Sequence, residues 1–497
     1  MRYVALIIAI AVIPFLSIAQ SDSDKVAETV TRDGAKGKVS FLASDEMRGR
    51  QTPSTEQELA AKYLATHLVE NGVEIPEGMD DYFQTVKLQK SGVATAGTLT
   101  AGQTTFDLKS DFVMISAGGA DVKGELVYVG YGEEEDFKKT DVEGKIAVVK
   151  AGTSGERDAR AAIVGGSDKR KRAKDAGAVA LVELYIFPQP NWKLITYYFG
   201  SSRMSVAQSD SEVDDGEDVS LPHIWIDAVS NEKREFFENA KGEGSLVVEA
   251  TQKDVFSAKN VVGLVKGTDP KLKDEFIIFS AHYDHVGVGD MNANGDSIFN
   301  GTRDNAVGTA AVMEAAQNIG KYPLKRSALF VFFTAEEKGL LGSEWYVNHP
   351  VFPLEKTVMS YNCDNGGYND TTFAMIVGMS KMDIGKAMAE ACNSFELEAK
   401  PDQVLDQGLF NRSDHYSFAR QGIPGVMFSM GATAFDEEIM KYLHQQADNP
   451  NTINYDYLHK FVSAYVLGGR ILGNAKKAPS WNKGTEYYEL GEALYNP

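Results

Sequence analysis

Apolar residues change their spacing along this chain, and each change predicts a different kind of structure. From about 24 to 90 they recur at helical intervals, as in 54–70, where Leu59, Tyr63, Leu64 and Leu68 share a face and Gly72 stops the pattern. Residues 42–50, L-A-S-D-E-M-R-G-R, are a turn-rich break between two helical patterns, in which Arg48 and Arg50 either tie the loop down or serve function. From about 91 to 258 short β-rich runs take over, such as 125–129 and 145–149, and a basic helical stretch over 169–176 leads into G-A-V-A-L-V. From about 259 the two periods alternate. Strands are predicted over 260–265, 275–281, 327–334, 356–362 and 423–429, and helices over 306–319, 338–348, 380–396 and 455–474. That alternation implies an α/β fold with a largely parallel sheet and helices on both faces. The expected layout is a signal peptide at 1–19, a first part of the main domain at 24–90, an inserted α+β domain at 91–258, the main domain at 259–480 and a tail at 481–497.

Composition narrows the class. A chain of 497 residues, 43% hydrophobic and 24% charged, is a soluble globular protein of two or three domains. Its formal charge of −20 lacks the basic clusters of a nucleic-acid surface, so no nucleic-acid partner is expected; the acidic run 209–218 reads as a solvated loop. Met1 and Arg2 precede an apolar run over 4–18, and Ser17-Ile18-Ala19 offers small residues for cleavage after Ala19. Export to the periplasm or the exterior follows. The rival is an uncleaved anchor, for which the run is short and interrupted by Pro14. No cysteine lies near that site, and no later segment approaches 18 apolar residues, so no stable membrane insertion is expected after cleavage. Cys363 and Cys392 exclude a disulfide scaffold and leave one bridge open.

Two apolar runs end in ionisable residues. F-I-I-F-S-A-H-Y-D-H closes with His282, Asp284 and His285, and A-L-F-V-F-F-T-A-E-E with Glu336 and Glu337. Sites in open α/β sheets lie beyond the carboxyl ends of strands, and imidazole with carboxylate suits zinc there. Asp284 is close enough in sequence to hold the His282 ring. Asp304 follows a Gly-rich loop and starts an Ala-rich helix, where a capping role is equally natural. The Glu doublet either caps the next helix or divides into ligand and base. Asp364 ends a further strand and His444 lies in a later loop. Two histidines with three carboxylates suit a pair of zinc ions sharing one carboxylate, with a separate carboxylate to move protons. Residues 290–296, D-M-N-A-N-G-D, resemble the front of a calcium loop, but Gly301 stands where a bidentate Glu is needed; a mobile loop is the other reading.

The motifs S-A-H-Y-D-H-V-G, N-G-T-R-D-N-A-V-G, T-A-E-E-K-G-L-L-G-S, N-C-D-N-G, R-S-D-H-Y-S-F and G-I-P-G-V-M-F stand in the order that resembles the co-catalytic di-zinc aminopeptidases, relatives of glutamate carboxypeptidase and transferrin receptor. L-A-S-D-E-M-R-G-R and D-Y-F-Q-T-V are similar to the same family's N-terminal part. V-Y-V-G-Y-G, D-V-E-G-K-I-A-V-V and K-R-A-K-D-A-G-A-V-A resemble the protease-associated domain often inserted there. The resemblance implies a phosphorylase/hydrolase-like zinc exopeptidase fold with a mixed, mostly parallel sheet, acting on peptide substrates with two zinc ions. His282 and Asp364 would hold one zinc, Glu337 and His444 the other, with Asp304 bridging. Glu336 would be the base and Asp284 the support of His282. His285 and His415 would be hydrogen-bonded neighbours, and Arg412 and Tyr442 substrate contacts. The chain departs from the family at Leu443, where relatives carry tyrosine, and at Asn365-Gly366-Gly367 in place of Met-Val-Gly. H-Q-Q-A-D replaces H-T-P-x-D but keeps the spacing from His444 to Asp448. The alternatives are a carboxypeptidase or dipeptidase of the same fold, a silent receptor-like member, against which the intact ligand set counts, and a glutaminyl cyclase, associated with one zinc and no insert.

Overall fold

Three largely apolar strands, Phe276–His282, Ser327–Phe333 and Thr357–Cys363, lie side by side and parallel, each buried along its whole length. Strands so uniformly apolar must be covered on both faces. The computed structural model describes residues 20–116, 118–155, 158–200, 202–207, 221–249 and 253–496; the expected signal peptide at 1–19 and the acidic run 209–218 lie outside them. The chain divides into a unit formed by residues up to Val86 together with those from Ala258 on, and a second unit, Lys87–Ser257.

In the first unit the sheet order is Glu398–Pro401, Phe373–Val377, Gly425–Met430, Thr357–Cys363, Phe276–His282, Ser327–Phe333, Lys253–Val265, Phe83–Ser91. It is mixed: Lys253–Val265 runs antiparallel to Ser327–Phe333, and Phe373–Val377 antiparallel to Gly425–Met430. Alternate side chains go to opposite faces. Ile277, Phe279 and Ala281 meet helices Gly308–Lys321 and Tyr455–Asn474, whereas Phe276 and Ile278 meet Tyr346 and Phe418 from helices Leu341–Asn348 and His415–Ala419. Helices Asp22–Thr29 and Arg32–Leu42 lie over the first pair, tied by Arg470–Asp22 and Lys38–Glu314 ion pairs of 2.7 Å each. His282 stands opposite Phe333 in register, so both strands end at the same edge of the sheet.

Three stretches differ from expectation. The mostly helical reading of 24–90 fails at Phe83–Ser91, a strand whose period of two shows in buried Val86 and Leu88. Strands Phe373–Val377 and Glu398–Pro401 are additional. The expected tail carries helix Tyr488–Tyr495, seated by Trp481 donating to the Gly422 carbonyl at 2.8 Å and Tyr495 to that of Thr357. Cys363 and Cys392 are buried free thiols. Among the described residues no helix is long and apolar enough to cross a membrane.

The second unit has its own sheet, ordered Thr104–Asp107, Gly97–Ala101, Glu243–Val248, Ala120–Tyr128, Ile146–Lys150, Ala180–Tyr185, His223–Asp227, Phe112–Met114. Buried Glu183 accepts from Lys169 Nζ at 2.5 Å, Trp225 Nε1 at 2.7 Å and His223 Nε2 at 2.9 Å. Those partners hold its carboxyl below the usual range although burial alone would raise it.

Acid sensitivity is built into helix Thr55–Glu70. Burial pushes the pKa of His67 down to about 4, more than the hydrogen bond to the Met313 carbonyl (2.8 Å) offsets. A histidine with a depressed folded pKa contributes its full stability above about 6.5 and loses it as pH falls toward the folded value, about 3 kcal/mol in all. Urea unfolding at pH 7 and pH 4.5 should therefore show a smaller acid loss for His67→Gln than for the wild type. Equal losses would refute the assignment.

Candidate active site

Each acidic or imidazole group of the predicted set sits at a strand end or in an irregular turn. His282 is the last residue of its strand, and Asp364 directly follows strand Thr357–Cys363. Glu336 and Glu337 follow strand Ser327–Phe333 after Thr334 and Ala335, the latter with φ of 54°. Asp304 belongs to the irregular segment Thr302–Val307, ahead of the helix at Gly308 rather than within its first turn. Asn305 fixes this segment, donating to the Cys363 carbonyl at 2.9 Å and accepting from Gly308 N–H at 3.0 Å. His444 follows helix Glu437–Met440 with φ of 52°, in the left-handed region.

These residues come together. His282 Nε2 is 3.1 Å from Asp364 Oδ1, 3.2 Å from Asp304 Oδ1 and 3.9 Å from Glu336 Oε2. His444 Nε2 is 3.0 Å from Asp304 Oδ2 and 3.3 Å from Glu337 Oε2. The two oxygens of Asp304 thus face two different histidines. His285, expected as a neighbour, has Nδ1 2.6 Å from Glu337 Oε1. The groups divide into His282, Glu336 and Asp364 on one side and His285, Asp304, Glu337 and His444 on the other, each with donor atoms within 4.8 Å of one another. The core of the set is buried, but the His444 side chain is 47% exposed.

The charge balance indicates what such a cluster accepts. Burial, together with the Asp364 and Glu337 charges, holds the Glu336 carboxyl well above the usual range despite His282. Hydrogen bonds to Asp304 and Glu337 lift His444 to about 10. Burial would lower His282, yet Asp364 and Glu336 raise it well above an ordinary imidazole. The surrounding carboxylates draw His282 and His444 toward protonation. Divalent cations supply the missing positive charge through nitrogen and carboxylate donors of the kind zinc prefers, so the residues fit zinc.

Support for the site comes from residues around it, first from Arg50, which ties the turn-rich break down as one of its two expected roles required. Arg50 is buried and donates to the carbonyls of Leu42, Tyr283 (2.9 Å), Asn300 (2.8 Å) and Gly301 (3.0 Å), binding the turn-rich break to the loops around His282 and Asp304. Arg48 instead pairs at the surface with Glu56. Arg303, next to Asp304, donates through Nη1 to Asp448 Oδ1 at 2.7 Å and to Thr452 Oγ1 at 2.8 Å; its backbone N–H reaches Asp448 Oδ2 at 2.8 Å. Its guanidinium lies 3.7 Å from the Tyr442 ring centre. The chain on either side of His444 is thereby clamped to the residue preceding Asp304. Asp414, overlooked in the sequence, is fully buried with its carboxyl pushed up to about 7 by burial. The only available signal was its place in R-S-D-H, beside Ser413, which donates to Asp364 Oδ2.

Three expected roles change. Tyr442 stacks on Arg303, and Leu443 is the one that lines the cavity, because successive residues of a turn point to different sides. The Asp284 carboxylate is 3.8 Å from His282 Nδ1, which is closer to the Asp284 carbonyl at 3.1 Å; the carboxylate accepts instead from Glu336 N–H at 3.1 Å. Asp284 therefore holds His282 by its backbone and Glu336 by its side chain. His415 is buried. In the 290–296 loop Asn292 Oδ1 accepts from Asn294 and Asp296 N–H. The cavity over the cluster measures about 540 Å³, with Met375, Leu409, Met427, Phe435 and Ile439 as an apolar wall and Arg412 beside it.

Residues 260–467 match Peptidase family M28, and residues 122–225 match the PA domain. Aminopeptidase YwaD of Bacillus subtilis is 26% identical over 337 residues, covering 67% of this chain and 64% of that protein. A probable leucine aminopeptidase 2 of Aspergillus oryzae is 25% identical over 344 residues, covering 65% and 58%. The chain therefore spans somewhat less than two thirds of these relatives' lengths. A solved aminopeptidase from Aneurinibacillus sp. strain AM-1 shares the fold, with a TM-score of 0.59 at 19% identity over 93% of this chain and 97% of that one.

Proposed function

With residues 260–467 belonging to peptidase family M28 and a PA domain inserted ahead of them, we propose that the chain is an exported zinc aminopeptidase that removes N-terminal residues from peptides. The observation that carries this reading is Asp304, whose Oδ1 faces His282 while Oδ2 faces His444. His282 and Asp364 would hold one zinc, Glu337 and His444 a second, and Asp304 both. Bound zinc supplies Lewis acidity toward the scissile carbonyl and lowers the pKa of a water. Glu336 takes the proton of the attacking water as the C–O bond forms, then gives it to the leaving amine as the C–N bond breaks. Asp284 aims Glu336 through its backbone N–H, and His285 orients Glu337. The apolar wall receives the side chain of the residue removed. Export rests on the N-terminal pattern at 1–19.

Metal analysis of purified protein is expected to give about two zincs per chain. Chelation should abolish hydrolysis of an aminoacyl anilide, and zinc should restore it. An N-acetylated anilide should not be cleaved. Full activity without metal, or preference for the blocked substrate, would overturn the reading.

A further inference from the structure

The residues after Asp364 are Asn365, Gly366 and Gly367, and the two glycines stand there for different reasons. Gly367 has φ of 134°, where a side chain would be strained. Gly366 lies outside the left-handed region, so its backbone accepts any residue. It is half-buried and lines the cavity over the cluster. A Cβ at this position would stand 3.4 Å from Leu443 Cδ1 and 4.0 Å from Phe435 Cζ, and within 4 Å of nothing else beyond its chain neighbours. Leu443 and Phe435 line the same cavity, so a side chain on residue 366 would project into it. The backbone is held in place on one side. Asp364 N–H donates to the Phe428 carbonyl at 3.2 Å, and Asn365 Oδ1 accepts from Met430 N–H at 2.8 Å. Gly366 is thus an opening in an anchored wall.

We propose that Gly366 is a specificity-determining residue. The space it leaves between Leu443 and Phe435 admits a ring-bearing side chain, so that the enzyme favours peptides that begin with phenylalanine or tryptophan. This rests on the aminopeptidase reading above, in which the apolar wall receives the residue removed. Phe435 belongs to that wall, which puts the opening beside the first residue of the peptide. The chain's two departures from the family motifs, glycine for valine at 366 and leucine for tyrosine at 443, are far apart in sequence yet meet here. Each puts a smaller side chain at the same spot, so together they widen it. A ring entering there can pack on the Phe435 ring and on the thioethers of Met375 and Met427. A small first side chain leaves the opening to water and forgoes those contacts.

The test compares zinc-loaded wild type, Gly366→Ala and Gly366→Val on the anilides of alanine, leucine, phenylalanine and tryptophan. Leu-Gly-amide and Leu-Phe-amide probe the second residue. Wild type should show higher kcat/KM for the two aromatic anilides than for the two aliphatic ones. Gly366→Val should lower the ratio of kcat/KM for the phenylalanine anilide to that for the alanine anilide by about 10- to 200-fold, the range for a methylene more or less in an apolar pocket. Gly366→Ala should lower it by less. A ratio unchanged in both variants, or a wild type that prefers the leucine anilide, would overturn the proposal while leaving the aminopeptidase intact. A fall confined to Leu-Phe-amide against Leu-Gly-amide would put the opening beside the leaving chain and overturn it as well. Failure of zinc-loaded wild type to cleave any of these substrates would instead remove the aminopeptidase reading and the proposal with it. Zinc content and thermal midpoints equal to wild type show that a variant is folded and loaded; where Gly366→Val falls short of that, the ratio in Gly366→Ala decides.

Discussion

Glu336→Gln is expected to lower kcat by about 10²- to 10⁴-fold while the fold and zinc content are retained, the range for removing a general base. The two glutamates of the doublet are not equivalent. Glu337 is engaged on both oxygens, by His285 at 2.6 Å and His444 at 3.3 Å. The nearest histidine nitrogen to Glu336 is 3.9 Å away, and its backbone is held by Asp284. Glutamine keeps the volume and one acceptor but cannot carry a proton. Loss of activity with full metal content therefore separates base from ligand, since Glu337→Gln should lose metal. A zinc-loaded Glu336→Gln enzyme with wild-type kcat would show that another group moves the proton.

Asp448→Ala is expected to destabilise the first unit by about 3–5 kcal/mol, the cost of removing one partner of a buried ion pair. Arg303 and Asp448 are 3% and 2% exposed, and the substitution strands the guanidinium without its carboxylate. That is a large share of the roughly 5–15 kcal/mol that keeps a domain folded. Urea unfolding measures it. Adding Arg303→Met should recover part of the loss, because no buried charge is then left unpaired. A single-variant cost below about 1 kcal/mol would show that water reaches the guanidinium.

Much of this architecture was legible because apolar periodicity and strand-end chemistry are local signals. The three central strands are buried on both faces, so hydrophobicity alone marked them, and the acids at their tips had no packing reason to be there. Helix Tyr455–Asn474 was readable from its long apolar stripe. What stayed hidden depends on contacts distant in sequence. Arg50 lies more than 230 residues from Tyr283 and Gly301, whose carbonyls it binds. Arg303 and Asp448 are 145 residues apart. Strand Phe83–Ser91 was masked by polar Thr85, Lys87 and Gln89 alternating with its inward residues, and Tyr442 was misplaced because the twist of one turn decides whether it or Leu443 faces the cavity.

The split of the first unit around Lys87–Ser257 also sets an order in time. As the chain emerges from a ribosome or an export channel, the contiguous second unit is complete before most of the sheet of the first exists. Helices Asp22–Thr29 and Arg32–Leu42 emerge before it, yet their partners Glu314 and Arg470 come only after it. At about 5–20 residues per second those apolar faces wait on the order of tens of seconds for cover. A premature stop before residue 455 leaves them permanently without helix Tyr455–Asn474. Such fragments should be sticky debris, whatever the condition of the insert they carry.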